Sequence, residues 1–112
     1  MEINEFQKEA LRTEKGIALT PRKRLENGLM GLCGEAGECI DLLKKHLFQG
    51  HILDERHLAL ELGDVAWYLA VSADALGYDL ESVLKMNVDK LRARYPNGFD
   101  PERSQVRDEG DI

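Results

Sequence analysis

Leu25, Leu29, Leu32, Cys33, Ala36, Ile40, Leu43 and Leu47 recur at three- and four-residue spacing. At 3.6 residues per turn these positions form one continuous apolar stripe, whereas on a strand they would scatter over both faces. The ends fit a helix as well. Thr20-Pro21 reads as an N-cap followed by proline at the first helical position, and Gly50 as a C-terminal stop. A stripe this long is buried only by other elements laid alongside it, which commits the chain to helix-on-helix packing.

The remaining segments agree. Asn4 to about Glu14 reads as a short first helix with Phe6, Ala10 and Leu11 on one side, ended by Gly16. Asp54 caps a third helix that runs to about Leu76 and stops at Gly77. Asp79 caps a fourth, whose stripe is Leu80, Val83, Leu84, Val88, Leu91 and Tyr95 and which Pro96 halts. No segment alternates with period two for long enough to make a strand, and no repeat of solenoid period occurs. The expectation is an all-α bundle of three main helices plus a short N-terminal helix, a single domain over residues 1–99. After Phe99 the sequence turns polar (DPERSQVRDEGDI), so residues 100–112 are expected as a flexible C-terminal tail.

Helix three is the unusual one. Residues 57–71 read HLALELGDVAWYLAV, and from Leu58 to Ala73 only Glu61, Asp64 and Ser72 bring polar side chains apart from the aromatic tips. The run is about 16 residues, short of the ~20 that span a bilayer, and it holds two acids, so no membrane partner is expected. A helix apolar nearly all round is not a surface helix. A chain of 112 residues has little material to cover every side of it, so completion of the bundle by homo-oligomerisation is expected. The balance of 21 acids to 15 bases, net −6, argues against binding a nucleic-acid polymer. Cys33 and Cys39 would point about 240° apart on one helix and cannot bond within it. Two thiols with no disulfide framework, behind a charged N-terminus (MEINEFQKEA), suit a reducing cytoplasm.

An ionised carboxylate in apolar surroundings costs several kcal/mol unless it is paired, protonated or metal-bound. Glu61 and Asp64 stand three positions apart, and helix two carries Glu35 and Glu38 in GEAGE at the same spacing. Residues three apart lie about 60° from one another on a helix, so each pair faces one side. Two antiparallel neighbours would then bring four carboxylates together, and four such charges stay ionised only against a counter-charge. Oxygen ligands without His or Cys select Mg²⁺, Mn²⁺ or Ca²⁺ over zinc.

Asn87, Lys90 and Arg94 share a face of helix four, an amide beside two cations that suits phosphate oxygens or the surroundings of a metal. Gly28, Gly31, Gly34 and Gly37 recur every three residues in helix two; they either admit a close neighbour or mark a break near residue 31. Lys44 and Lys45 fall in its last turns, where they complement the helix dipole. The histidines 46, 51 and 57 sit at or near helix ends. No Glu-x-x-His pair joins the carboxylates, so the di-iron pattern of ferritin-like bundles is not met.

GEAGE and ELGD, separated by residues 39–60, resemble the E-x-x-E … E-x-x-D pattern of the MazG-type all-α nucleotide pyrophosphohydrolases. The resemblance covers roughly residues 25–99, including Asn87-x-x-Lys90 and the closing KLRARYPNGFD. It implies Mg²⁺-dependent hydrolysis of a nucleoside triphosphate, ribo or deoxy, to monophosphate and pyrophosphate, with Mn²⁺ as a substitute metal. It also implies a homodimer or homotetramer. Carried over by motif, Glu35, Glu38, Glu61 and Asp64 would be catalytic metal ligands, and Asn87 and Lys90 would hold phosphates. Arg94 is added on helix geometry alone. The contrasting reading is a non-catalytic helical interaction or regulatory module, in which Lys or Arg would pair the carboxylates across an interface.

Overall fold

A computed structural model describes residues 1–17 and 19–111. Five helices occur among the described residues, and no strand: α1 (Ile3–Glu14), α2 (Pro21–Gln49), α3 (Glu55–Ala75), α4 (Leu80–Arg94) and α5 (Pro101–Gln105). The fold is all-α, as the periodicity predicts.

The punctuation works as expected. Thr20 Oγ1 accepts from the Lys23 N–H at 3.3 Å with Pro21 at the first helical position, and Gly50 ends α2 at φ 73°. Asp54 accepts from the His57 N–H at 3.1 Å to start α3. Past Ala75 the chain turns through Gly77 at φ 86°, where the Tyr78 N–H donates back to the Ala73 carbonyl at 2.9 Å. Gly16 has no positive φ; α1 ends earlier, with the Lys15 N–H bonded to the Leu11 carbonyl.

The chain packs as two compact units, Met1–Leu80 and Glu81–Ile112. In the first, Ala10, Ala70, Val71 and Leu80 are buried together, with Phe6, Leu11, Trp67 and Tyr68 packed against them. Gln7 is buried inside this core with its polar atoms satisfied. Its amide donates to the Ala70 and Tyr78 carbonyls at 3.1 and 3.3 Å and its oxygen accepts from the Leu80 N–H at 3.0 Å. Arg24 joins three helices by pairing with both Glu14 and Asp74 at 2.7 Å. These two acids raise the pKa of its guanidinium above the ordinary value, so the pairing favours the charged form.

The α2 glycines do not break the helix. α3 runs antiparallel to α2, with Gly28 facing Ser72 and Gly31 facing Tyr68. A Cβ on Gly31 would stand 2.0 Å from the Tyr68 ring, and one on Gly28 would stand 2.3 Å from Ser72 Oγ. The same addition at Gly34 or Gly37 meets open space. Only the first two are contact glycines.

In the second unit, where a loose tail is expected after Phe99, the chain turns back. Asp100 caps α5 by accepting from the Glu102 N–H at 3.0 Å, and Arg103 donates to the Arg94 and Ala93 carbonyls at the end of α4. Tyr95 and Phe99 pack with ring centroids 5.3 Å apart. Local pairing of charged side chains organises a segment whose composition alone reads as unstructured.

Candidate metal centre

The α2–α3 register that places Gly31 at Tyr68 carries one turn further and sets Glu35 opposite Glu61 and Asp64. One carboxylate oxygen from each of these three residues lies within 4.8 Å of the others. Glu35 and Glu61 are half-buried, and Asp64 is exposed. The pKa of Glu35 is raised, first by a hydrogen bond with Glu61, then by desolvation, then by the charges of Asp64, Glu61 and Glu38. Desolvation and the neighbouring negative charges disfavour the ionised form of Glu35, and a cation among the three carboxyls would act in the opposite direction.

Glu38 is not in the oxygen cluster. It is exposed on α2 and reaches Glu35 only through its charge. The equal spacing of the two pairs therefore does not give equal placement: Glu61 and Asp64 both converge, whereas of the α2 pair only Glu35 does. A histidine outside the cluster contacts one of its members. His57 Nε2 lies 3.1 Å from Glu61 Oε1, one turn earlier on α3. Its i, i+4 offset from Glu61 is legible in the sequence, but the side-chain contact is not.

The oxygen set fits a hard divalent cation. Three convergent carboxyls, none of which has a Lys or Arg ion pair among the described residues, offer charge and hard donors together. Lys44 and Lys45 are engaged elsewhere, both on Asp41, at 3.5 and 2.9 Å.

Beside the carboxylates opens a cavity of about 360 Å³ lined by Thr13, Glu35, Asp64, Trp67 and Tyr68. Glu35 and Asp64 of the carboxylate cluster line one part of it, and Trp67, Tyr68 and Thr13 line the rest. Thr13 belongs to α1, which sequence motifs do not link to the site.

Asn87, Lys90 and Arg94 lie on α4 in the second unit. Asn87 and Lys90 are exposed. Arg94 is held by Asp111, its Nη2 and Nε donating to the two carboxylate oxygens at 2.7 and 2.8 Å. Arg94 is thereby raised above its ordinary pKa and Asp111 lowered below its own. Lys90 and Arg94 line a cavity of about 330 Å³ with residues 108–111.

Comparison with known proteins places this arrangement. A family model described as the MazG nucleotide pyrophosphohydrolase domain matches residues 24–99. The chain is also similar to the "Gene 37 protein" of Mycobacterium phage L5, 44% identical over 73 residues, 62% of this chain and 64% of that protein. The chain thus spans less than two thirds of that relative's length, and the relative's name states no activity. No solved structure matches the chain.

Proposed function

This chain belongs to the MazG nucleotide pyrophosphohydrolase family, and from that premise we propose that it hydrolyses a nucleoside or deoxynucleoside triphosphate to its monophosphate and pyrophosphate with Mg²⁺. The observation that carries the reading is the convergence of Glu35, Glu61 and Asp64 from two antiparallel helices, oxygens within 4.8 Å of one another. Such a cluster resists full ionisation by itself, and a divalent cation relieves it.

Glu35, Glu61 and Asp64 would hold the metal, with Glu38 as the motif-matched fourth ligand and Mn²⁺ as a substitute ion. A bound Mg²⁺ supplies positive charge against the triphosphate oxygens and makes water a stronger nucleophile at neutral pH. The protein's part is to keep the ligands in place. His57 braces Glu61 through the 3.1 Å Nε2–Oε1 contact, and Gly31 leaves α2 and α3 the room at Tyr68 that their close packing needs. A cluster carboxylate takes the proton as water attacks the α-phosphorus; the α–β anhydride bond breaks and its bridging oxygen leaves with pyrophosphate. Asn87 and Lys90 are proposed on the family motif to hold phosphate oxygens, by an amide donor and an ammonium charge. A similar role for Arg94 requires it to exchange the Asp111 carboxylate for a phosphate. The exposed apolar residues of α2 and α3 support assembly as a homodimer or homotetramer, and the two free cysteines support a reducing, cytoplasmic setting.

The test is incubation with a panel of canonical and modified NTPs and dNTPs, with separate detection of pyrophosphate and orthophosphate. Mg²⁺-dependent pyrophosphate from at least one nucleotide is expected. Glu38→Gln and Asp64→Asn should each abolish it while leaving the helical circular dichroism unchanged. Return of every nucleotide intact with both Mg²⁺ and Mn²⁺, together with no calorimetric binding of metal and nucleotide, would favour a non-catalytic helical module.

A further inference from the structure

We infer that Trp67, held in place by Thr13 and Tyr68, is the wall against which the nucleobase of the substrate stacks. This rests on the proposed function and adds to it a base subsite built from α1 and α3. The cavity beside the carboxylates is lined by side chains of two chemical kinds. Glu35 and Asp64 repel a bare phosphate, while Trp67 and Tyr68 offer aromatic surface and Thr13 completes the lining. That combination matches a molecule with a metal-complexed anion at one end and an uncharged planar ring at the other. The volume of about 360 Å³ falls within the range of small-molecule sites.

Helical spacing makes the geometry continuous. Trp67 and Tyr68 follow Asp64 by three and four residues, so their rings lie along the α3 face that carries the carboxylate. A nucleotide whose phosphates are engaged at Asp64 therefore has its base within reach of these rings. They are also braced before any ligand arrives. Trp67 Nε1 donates to Thr13 Oγ1 at 2.7 Å, and Thr13 Oγ1 in turn donates to the Ala10 carbonyl at 2.8 Å. Trp67 and Tyr68 meet edge to face, with centroids 4.9 Å apart and planes at 83°. Tyr68 lies against Gly31, where a Cβ would overlap its ring. A half-buried indole fixed from two sides loses little freedom on binding, which favours a stacking role over plain core filling.

Thr13 lies outside residues 24–99, the part matched by the family model. The residue that fixes Trp67 thus lies on α1, outside the matched part.

Trp67 is the only tryptophan, so intrinsic fluorescence reports on this wall directly. The probes are the α,β-methylene analogues of the ribo- and deoxyribonucleoside triphosphates, each with Mg²⁺, against inorganic tripolyphosphate with Mg²⁺. At least one analogue should quench Trp67 saturably, while tripolyphosphate binds by calorimetry without quenching. Trp67→Ala should raise KM for the preferred nucleotide roughly ten- to hundredfold with a smaller change in kcat, and Trp67→Phe should restore most of it. Thr13→Val, which keeps the shape and removes the acceptor, should raise KM to a lesser degree. If nucleotides are hydrolysed but quench no more than tripolyphosphate, or if Trp67→Ala folds and keeps KM, the base wall is overturned and the pyrophosphohydrolase reading stands. If no nucleotide is bound or hydrolysed, both fall.

Discussion

Glu35 carries the plainest chemical signature at the scale of single residues. Its raised pKa comes from a hydrogen bond with one acid and the charge of three, an arrangement that a cation stabilises and a proton only partly replaces. Mg²⁺ should raise the thermal midpoint of the wild-type protein, and chelation should reverse the shift. In Glu35→Gln and Asp64→Asn the metal-dependent shift should vanish. The metal-free Glu35→Gln protein should be no less stable than metal-free wild type, because it loses a repelled carboxylate. Differential scanning fluorimetry with and without EDTA checks all three expectations. Asp111 behaves in the opposite sense. Its carboxylate is held below its ordinary pKa of 3.8 by Arg94, so the folded-state pKa lies under the unfolded one. The Arg94–Asp111 pair therefore contributes stability above about pH 4 and loses it as pH falls through the depressed value. An NMR titration of the Asp111 carboxyl should show that midpoint, and Asp111→Asn should speed amide exchange across residues 103–111. Glu61 and Asp64 could be singled out from the sequence because both interrupt an apolar run. The difference between Glu35 and Glu38 could not be, because it depends on which side of α2 meets α3.

The secondary elements follow local rules closely, and two of their glycines do not. Thr20 caps α2 through the Lys23 N–H, and Thr20→Ala should cost about 1 kcal/mol in chemical denaturation. Gly31 and Gly34 look alike in sequence, three residues apart on one helix. Their substitution by alanine should have opposite signs. At Gly34 the new methyl meets open space, so Gly34→Ala should stabilise by about 1 kcal/mol through helix propensity. At Gly31 it would stand 2.0 Å from a Tyr68 ring already braced by Trp67. Gly31→Ala should therefore destabilise by about 1–3 kcal/mol through overpacking and shift the Trp67 emission. Urea denaturation of the two variants side by side decides it. α5 is the element the sequence did not announce, since a five-residue helix has too few positions to show a period.

At the scale of the whole molecule, the first unit leaves much apolar surface open. Leu60 and Leu62, on either side of Glu61, are 58% and 57% exposed, and Phe48 is 81% exposed. The proposed assembly would cover side chains of this kind. Analytical ultracentrifugation should show a dimer or tetramer at micromolar concentration, and Leu62→Lys should shift it toward monomer without loss of helix content. A monomeric wild type with a monomeric variant would remove the assembly reading. The described residues contain no helix long and apolar enough to cross a membrane, in line with the two acids that interrupt α3. The sequence by itself determined the four longer helices, most of their ends, the all-α class and the two helices that carry the acids. Those features rest on spacing and capping within a few residues of each other, which a linear reading contains. Only the tertiary structure decided that Glu35 meets Glu61 and Asp64 while Glu38 does not, and that Gly28 and Gly31 are the contact glycines. It alone joined Trp67 to Thr13, 54 residues away, and Arg94 to Asp111. Each of these depends on the register and rotation of one element against another. A helical period says which residues share a face, but not which face of the neighbouring element that face will meet.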